Sequence, residues 1–203
     1  DVGLAEEARL GFEGFSVHGL GVDGAALPIE IEGEVVFAGY GLTVPGKAGE
    51  AYDSYAGLDV ANKIVLVLRY VPEEVEPKRR AELNRYAGLR YKAMIARSHG
   101  ARALLVVTGP NSPNAGELAP LTLDSILAGS GIVAVSIGGR VAEALLAGTG
   151  KNLKALQTAL DPENPHAEDV RFTLPKVKVA VTAKVERIRK KDRNVVALLP
   201  PAA

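Results

Sequence analysis

The sequence contains no cysteine and no tryptophan. The first absence excludes disulfides, thiolate metal sites and cysteine nucleophiles, while leaving the redox compartment open. Aromatic side chains amount to six tyrosines and four phenylalanines. Ala, Val, Leu and Ile must therefore build the core, which suits sheets covered by alanine-rich helices. Neither sign of charge is in excess, since 24 basic residues face 24 acidic ones. A neutral surface exerts no long-range pull on nucleic acid or anionic membranes, so nucleic acid is not an expected partner. No run approaches the roughly 20 apolar residues of a membrane span, and no signal peptide is present. Histidine is scarce: His18, His99 and His166 stand far apart, with none of the close pairings that bind metal.

What is present is enough for one well-buried core: 203 residues, 47% of them hydrophobic, with 22 glycines and 12 prolines to supply turns. Residues 1–28 have no firm period and read as a lead-in. From Ile29 the pattern sharpens. Ile29, Ile31, Val35 and Phe37 alternate with Glu30, Glu32 and Glu34, the period of a strand with one wet face. Lys63 to Leu68 is a short β-branched run, as expected of a strand buried on both faces. Residues 71–84 are charged and read as an exposed excursion with room for a helical turn. Glu73, Glu74 and Glu76 there neutralise Lys78, Arg79 and Arg80.

A helix is expected from about Tyr86 to His99, with Ala87, Tyr91, Met94, Ile95 and Ser98 inward and Arg90, Lys92 and Arg97 outside. Gly100 suits its left-handed cap, and the helix dipole favours His99 in the last turn. Ala103 to Val107 is a second buried strand, so the unit reads as βαβ with parallel strands. Residues 109–131 form a Pro/Gly/Asn-rich loop, Ile132 to Ile137 a third buried strand, and Arg140 to Ala147 a helix closed by Gly148. Asn152 caps a short helix ending before Asp161-Pro162. Val177, Val179, Val181 and Val185 then alternate with polar residues in a long half-wet strand. The basic stretch 187–193 reads as a solvated strand end or linker. The fold expected from these elements is one compact α/β domain around a small βαβ core.

One motif tempts a catalytic reading. Ala134-Val135-Ser136-Ile137-Gly138 follows a strand and precedes a helix, as a hydrolase nucleophile elbow does, and Asp161 and His166 follow in the matching order. Against this, both partners lie in one Pro-rich loop, five residues apart, without the further strands such enzymes need. The plainer reading makes Ser136 a strand end. Gly39-Tyr40-Gly41 and Gly129-Ser130-Gly131 are too short to cradle phosphate and read as tight turns. Glu30, Glu32 and Glu34 share a solvent-facing strand face, with no pocket to split two acid pKa values. No catalytic, cofactor-binding or metal-ligating residue is therefore assigned.

Several blocks, taken in order, carry a resemblance. Glu34 to Gly41 (EVVFAGYG) is followed by Tyr52 to Val65 (YDSYAGLDVANKIV), then by Leu89 to Ala93 and Ala96 to Ala101, and later by Gly131-Ile132 and Val135-Ser136-Ile137. Together they resemble the protease-associated domain inserted before the catalytic domain of zinc-dependent aminopeptidases, a group that includes glutamate carboxypeptidase and transferrin-receptor relatives. The resemblance covers about residues 29–199, and the Tyr-Asp-x-Tyr-Ala-Gly-Leu-Asp-Val block is its most specific part. It implies a small β-sandwich or open barrel with flanking helices, and a non-catalytic role in substrate access or protein contacts. It also implies a secreted or periplasmic setting.

The resemblance divides the chain into a lead-in (1–28), a protease-associated domain (29–188), and a linker with the first strand of a zinc peptidase domain (189–203). Asn194 to Pro200 would be that strand. The ligands of the two zinc ions would then lie beyond position 203, and the partner of this domain would be its own catalytic domain, with peptide substrates a further candidate. Two other readings compete: a small serine hydrolase using Ser136, His166 and Asp161, and a free-standing peptide- or carbohydrate-binding domain using exposed strand edges. Contacts are expected on loops 42–57, 71–84 and 109–131. Tyr52, Tyr55 and Tyr86 are contact candidates, although tyrosines near strand ends more often sit at the core edge.

Overall fold

The computed structural model describes residues 15–18, 29–47, 51–120, 131–165 and 169–183. The basic stretch 187–193, the strand expected at Asn194–Pro200, His166, Val185, and most of the lead-in lie outside these residues. So do positions 121–130 of the third loop.

Eight strands are described: β1 (Phe15–His18), β2 (Ile29–Phe37), β3 (Thr43–Val44), β4 (Tyr52–Asp53), β5 (Ile64–Leu68), β6 (Ala103–Val107), β7 (Val133–Ile137) and β8 (Phe172–Ala183). Six form one mixed sheet in the order β1-β7-β6-β5-β2-β8, while β3 and β4 make a separate antiparallel ribbon. The four central strands are mutually parallel, and β1 and β8 are antiparallel edges. The expected βαβ unit is present: β5 and β6 pair in parallel, with α2 (Leu89–Ser98) between them in the chain.

Burial explains why the central strands read as unbroken apolar runs. Every residue of β5, β6 and β7 is buried, because helices cover both faces of the parallel core. Alternate residues divide into two clusters. Ile64, Leu66, Leu68, Leu105 and Val135 join Leu83 of α1 (Pro77–Asn84), Ala142 and Leu146 of α3 (Gly139–Leu146), and Leu153, Leu156 and Leu160 of α4 (Leu153–Leu160). Val65, Val67, Leu104, Val106 and Ala134 meet Ala93 and Ala96 of α2 on the other face. Three helices thus cover one face and one helix the other.

Three local expectations are corrected. The buried stripe of α2 is Lys92, Ala93 and Ala96, whereas Met94 is 47% exposed. Small residues let the helix approach the sheet closely, while Ile95, partly buried, packs beside them as expected and Ser98 is exposed. The segment 71–84 holds a complete helix, α1, with Pro77 in its first turn. Its single buried anchor, Leu83, leaves no apolar period for a reader of the sequence. Helix α3 runs on through a 3₁₀ turn (Ala147–Thr149), and Gly150, at φ +71°, stops it instead of Gly148.

Other features follow the sequence closely. Glu30, Glu32 and Glu34 are exposed. The Asn152 side chain accepts a hydrogen bond from the Ala155 amide at 2.8 Å, as a capping residue should. Gly100 adopts φ +83° after α2. In β8, Val177, Val179 and Val181 are half-buried, and Lys176 and Lys178 are exposed. Pro175 is tolerated within this edge strand because it falls at the register shift between the Glu34–Lys178 and Val36–Thr173 pairs, outside the paired residues.

The turn between β2 and the ribbon is tightly constrained. Gly41 has φ +61°, and a Cβ there would lie 2.5 Å from Val67 Cγ1. Gly41→Ala should destabilise the fold by about 2–4 kcal/mol through backbone strain and overpacking. Urea unfolding followed by circular dichroism checks this; a loss below about 0.5 kcal/mol, the range of neutral surface changes, would contradict it.

Candidate functional site

Parallel strands deliver their following loops to the same end of the sheet. Here those loops meet in a buried polar cluster. Tyr40 follows β2, Glu73 follows β5, Asn111 and Ser112 follow β6, and Gln157 and Asp161 come from the last turn and the cap of α4. Tyr40, Gln157 and Asp161 are at most 1% exposed.

The bonding of this cluster is extensive. Tyr40 Oη donates to Asp161 Oδ1 at 2.5 Å and accepts from Gln157 Nε2 at 3.1 Å. Gln157 Nε2 also donates to Ser112 Oγ at 2.8 Å, and its Oε1 accepts from the Asn111 amide at 2.9 Å. Asn111 Nδ2 donates to Asp161 Oδ2 at 2.8 Å, and the Glu73 amide donates to Asp161 Oδ1 at 3.2 Å. Both carboxylate oxygens of Asp161 are therefore occupied. Burial, reinforced by the bond to Asp161, pushes the Tyr40 phenol well above the ordinary tyrosine range. It stays protonated and serves as a donor.

Lys92 stands beside this cluster. It is fully buried, and its Nζ donates to the carbonyls of Leu68 and Tyr70, each at 2.7 Å. The Tyr40 ring centroid lies 5.8 Å from the same nitrogen. Burial, and secondarily the charge of Arg69, lowers its pKa to about 7.

The three members of the supposed hydrolase triad are not brought together among the described residues. Ser136 lies inside β7 rather than on a sharp turn, opposite Val106 and Ser16. It is 1% exposed, and its Oγ accepts the Ala119 amide at 2.9 Å. A nucleophile elbow needs an exposed hydroxyl at a strand-to-helix turn. Here α3 begins only at Gly139, so the elbow reading gives way to a strand residue that ties down the loop. Asp161 is consumed by Tyr40, Asn111 and Glu73, and His166 lies outside the described residues.

The remaining candidates have structural places. Tyr52 and Tyr55 are buried, and their hydroxyls find no hydrogen-bond partner among the described residues. Burial raises both phenols above the usual range. His99 caps α2 and stacks on Tyr55, with ring centroids 4.6 Å apart. Tyr86 is half-buried and packs edge-on against Tyr91 at 5.2 Å. For His18 only the backbone place in β1 is described. In the loop 71–84, Arg80 pairs with Glu73 at 2.7 Å, and Arg79 reaches Glu82 and Glu163. No group of three or more His, Asp or Glu side chains able to hold a metal lies among the described residues. None of the described helices is long and apolar enough to cross a membrane.

Sequence reasoning missed Tyr40, Lys92, Asn111 and Gln157. One signal was available: reading Leu89, Lys92, Ala93 and Ala96 as the inward stripe would have placed a lysine in the core. Tyr40→Phe is expected to cost about 1–3 kcal/mol, because Asp161 and Gln157 lose a buried partner. Urea unfolding of the variant measures it, and a neutral outcome would mean that the cluster tolerates the loss.

Comparison with known proteins places the chain. A model of the PA domain family matches residues 31–145. Among solved structures, an aminopeptidase from Aneurinibacillus sp. strain AM-1 aligns with 84% of this chain at 17% identity and a TM-score of 0.37. The alignment spans 34% of that aminopeptidase, so this chain corresponds to about a third of its length. A search among curated proteins finds no match. The family match extends over more than half of the 203 residues and over the parallel core with its βαβ unit, and the chain belongs to the PA domain family.

Proposed function

We propose that this chain is a non-catalytic protease-associated module of a zinc-dependent aminopeptidase, acting in substrate access or in contacts with other proteins. Membership of the PA domain family carries the reading. The sequence blocks from Glu34 to Gly41 and from Tyr52 to Val65 extend it towards aminopeptidases. The bonding of the polar side chains supports the non-catalytic part. Ser136 and Asp161, the residues best suited to chemistry, are buried and bound to loops.

In this reading residues 1–28 lead in, 29–188 form the module, and 189–203 link it to the peptidase domain and begin that domain. The peptidase domain would hold two zinc ions and would be the module's permanent partner. Peptide substrates would pass along the loops 42–57 and 71–84, and the whole protein would be secreted or periplasmic.

The isolated chain should not hydrolyse aminoacyl-4-nitroanilides, with or without added zinc, and should not take up a fluorophosphonate probe. Labelling of the folded protein that disappears in Ser136→Ala would overturn this in favour of a serine hydrolase. Excision of residues 29–188 from the longer chain tests the access role. A change in kcat/KM that grows with peptide length is expected. A folded deletion variant with unchanged kinetics at every length would refute it.

A further inference from the structure

Lys92 is an unusual core residue. Its ammonium would sit with no exposure to water and no ion pair among the described residues, held by two backbone carbonyls alone. Burying a charge without a counter-charge is costly, and a group so placed sheds its proton or draws in water.

The neighbours sharpen the point. From the end of β5 comes Arg69, a like charge, whose guanidinium lies 4.6 Å from the Tyr70 ring centroid. The turn after β2 offers Tyr40, a neutral phenol. Asp161 lies beyond it, bound to the Tyr40 hydroxyl, and Glu73 is paired with Arg80. Strand β6, on which α2 packs, contributes Leu104 and Val106. Among the described residues, the close ionised neighbour is therefore repulsive.

The carbonyls that Lys92 grips belong to a strained place. Tyr70 has φ +67°, a left-handed conformation that is uncommon for a bulky residue. It lies in the segment 69–76, whose backbone amides are fastened at three other points. The Arg69 amide donates to Val107 O, the Glu73 amide to Asp161 Oδ1, and the Glu74 amide to Asp161 O. Lys92 thus closes the near end of a segment that would otherwise relax.

We propose that Lys92 is an acid-opened latch on the segment 69–76: uncharged, its amine ties the Leu68 and Tyr70 carbonyls beneath the Tyr40 ring, and protonation shifts the equilibrium towards an open segment that admits water. A neutral amine has two N–H donors for the two carbonyls, so both bonds of the closed state can be made without charge. In the open state Lys92 has the ordinary lysine value of roughly 10.4, well above its buried one. Opening therefore takes up a proton, and falling pH favours it. The effect levels off once the closed form is protonated as well.

The test uses the whole 203-residue chain. Carbon-13 NMR of the lysine Cε positions between pH 5 and 11 should reveal one lysine titrating near neutrality, with its signal absent in Lys92→Met. In parallel, amide exchange of Arg69, Glu73 and Glu74 should lose about tenfold in protection from pH 8 to pH 6, mostly above pH 7. Core amides of β6 should not follow, and in Lys92→Met the pH dependence should vanish. An ordinary titration of every lysine would overturn the proposal. So would protection at 69–76 that ignores pH in the wild type, or an unchanged pH dependence in the variant. Should Lys92→Met fail to fold, the two wild-type measurements decide the matter.

Discussion

Strands that run in parallel and are buried on both faces send their loops over one rim of the sheet, where backbone carbonyls and amides need partners that water cannot supply. In this chain the bond between Tyr40 and Asp161 closes that rim. It joins the turn after β2 to the end of α4, two places separated by more than half the sequence. Asn111 and Gln157 extend the tie to the loop after β6, and the Glu73 amide brings in the loop after β5. A half-satisfied network in a low-dielectric interior is worse than none. The full pairing of Asp161 and Gln157 is thus the condition on which the packing of α4 over the sheet rests.

The two faces of the sheet solve the burial problem differently. One is covered by three short helices with leucine anchors, the other by α2, whose fully buried apolar residues are Ala93 and Ala96, flanked by Leu89 and Ile95. Alanine brings the helix axis close to the strands, and at that distance a lysine on the same stripe has nowhere to extend except along the sheet. That is why Lys92 ends at the carbonyls of β5 and its following turn instead of in solvent. The close approach and the buried amine are one packing decision.

Much of this architecture was legible in the order of residues. The apolar runs at Ile64–Leu68, Ala103–Val107 and Val133–Ile137 announced strands buried on both faces, and Asn152 and Gly100 marked helix boundaries through local chemistry. The alternation of Ile29, Ile31 and the glutamates fixed the wet face of β2. The polar cluster was not legible, because its members come from four separate loops and helices with no spacing rule between them. Helix α1 was hidden by having one apolar anchor. The inward face of α2 was hidden by side-chain size, since hydrophobicity favours Met94 whereas close packing favours Ala93 and Ala96. Ser136 could be read as the strand residue it is despite its motif: a short motif specifies residues, but an elbow is a backbone shape, and β7 runs on past it.

The pairing of β2 with β8 has a further consequence. Ile29 lies directly opposite Ala183, so the first residue of one strand and the last of the other are neighbours across the ladder. Opposed residues in antiparallel strands stand about 5 Å apart. Between Ile29 and Ala183 the chain comes back almost to where it started, with β1 set apart on the opposite edge of the sheet. The stretch between them is a closed circuit with a mouth only one strand spacing wide. Any pull applied at Ile29 and Ala183 would load the β2–β8 ladder directly and reach the parallel core only through β2.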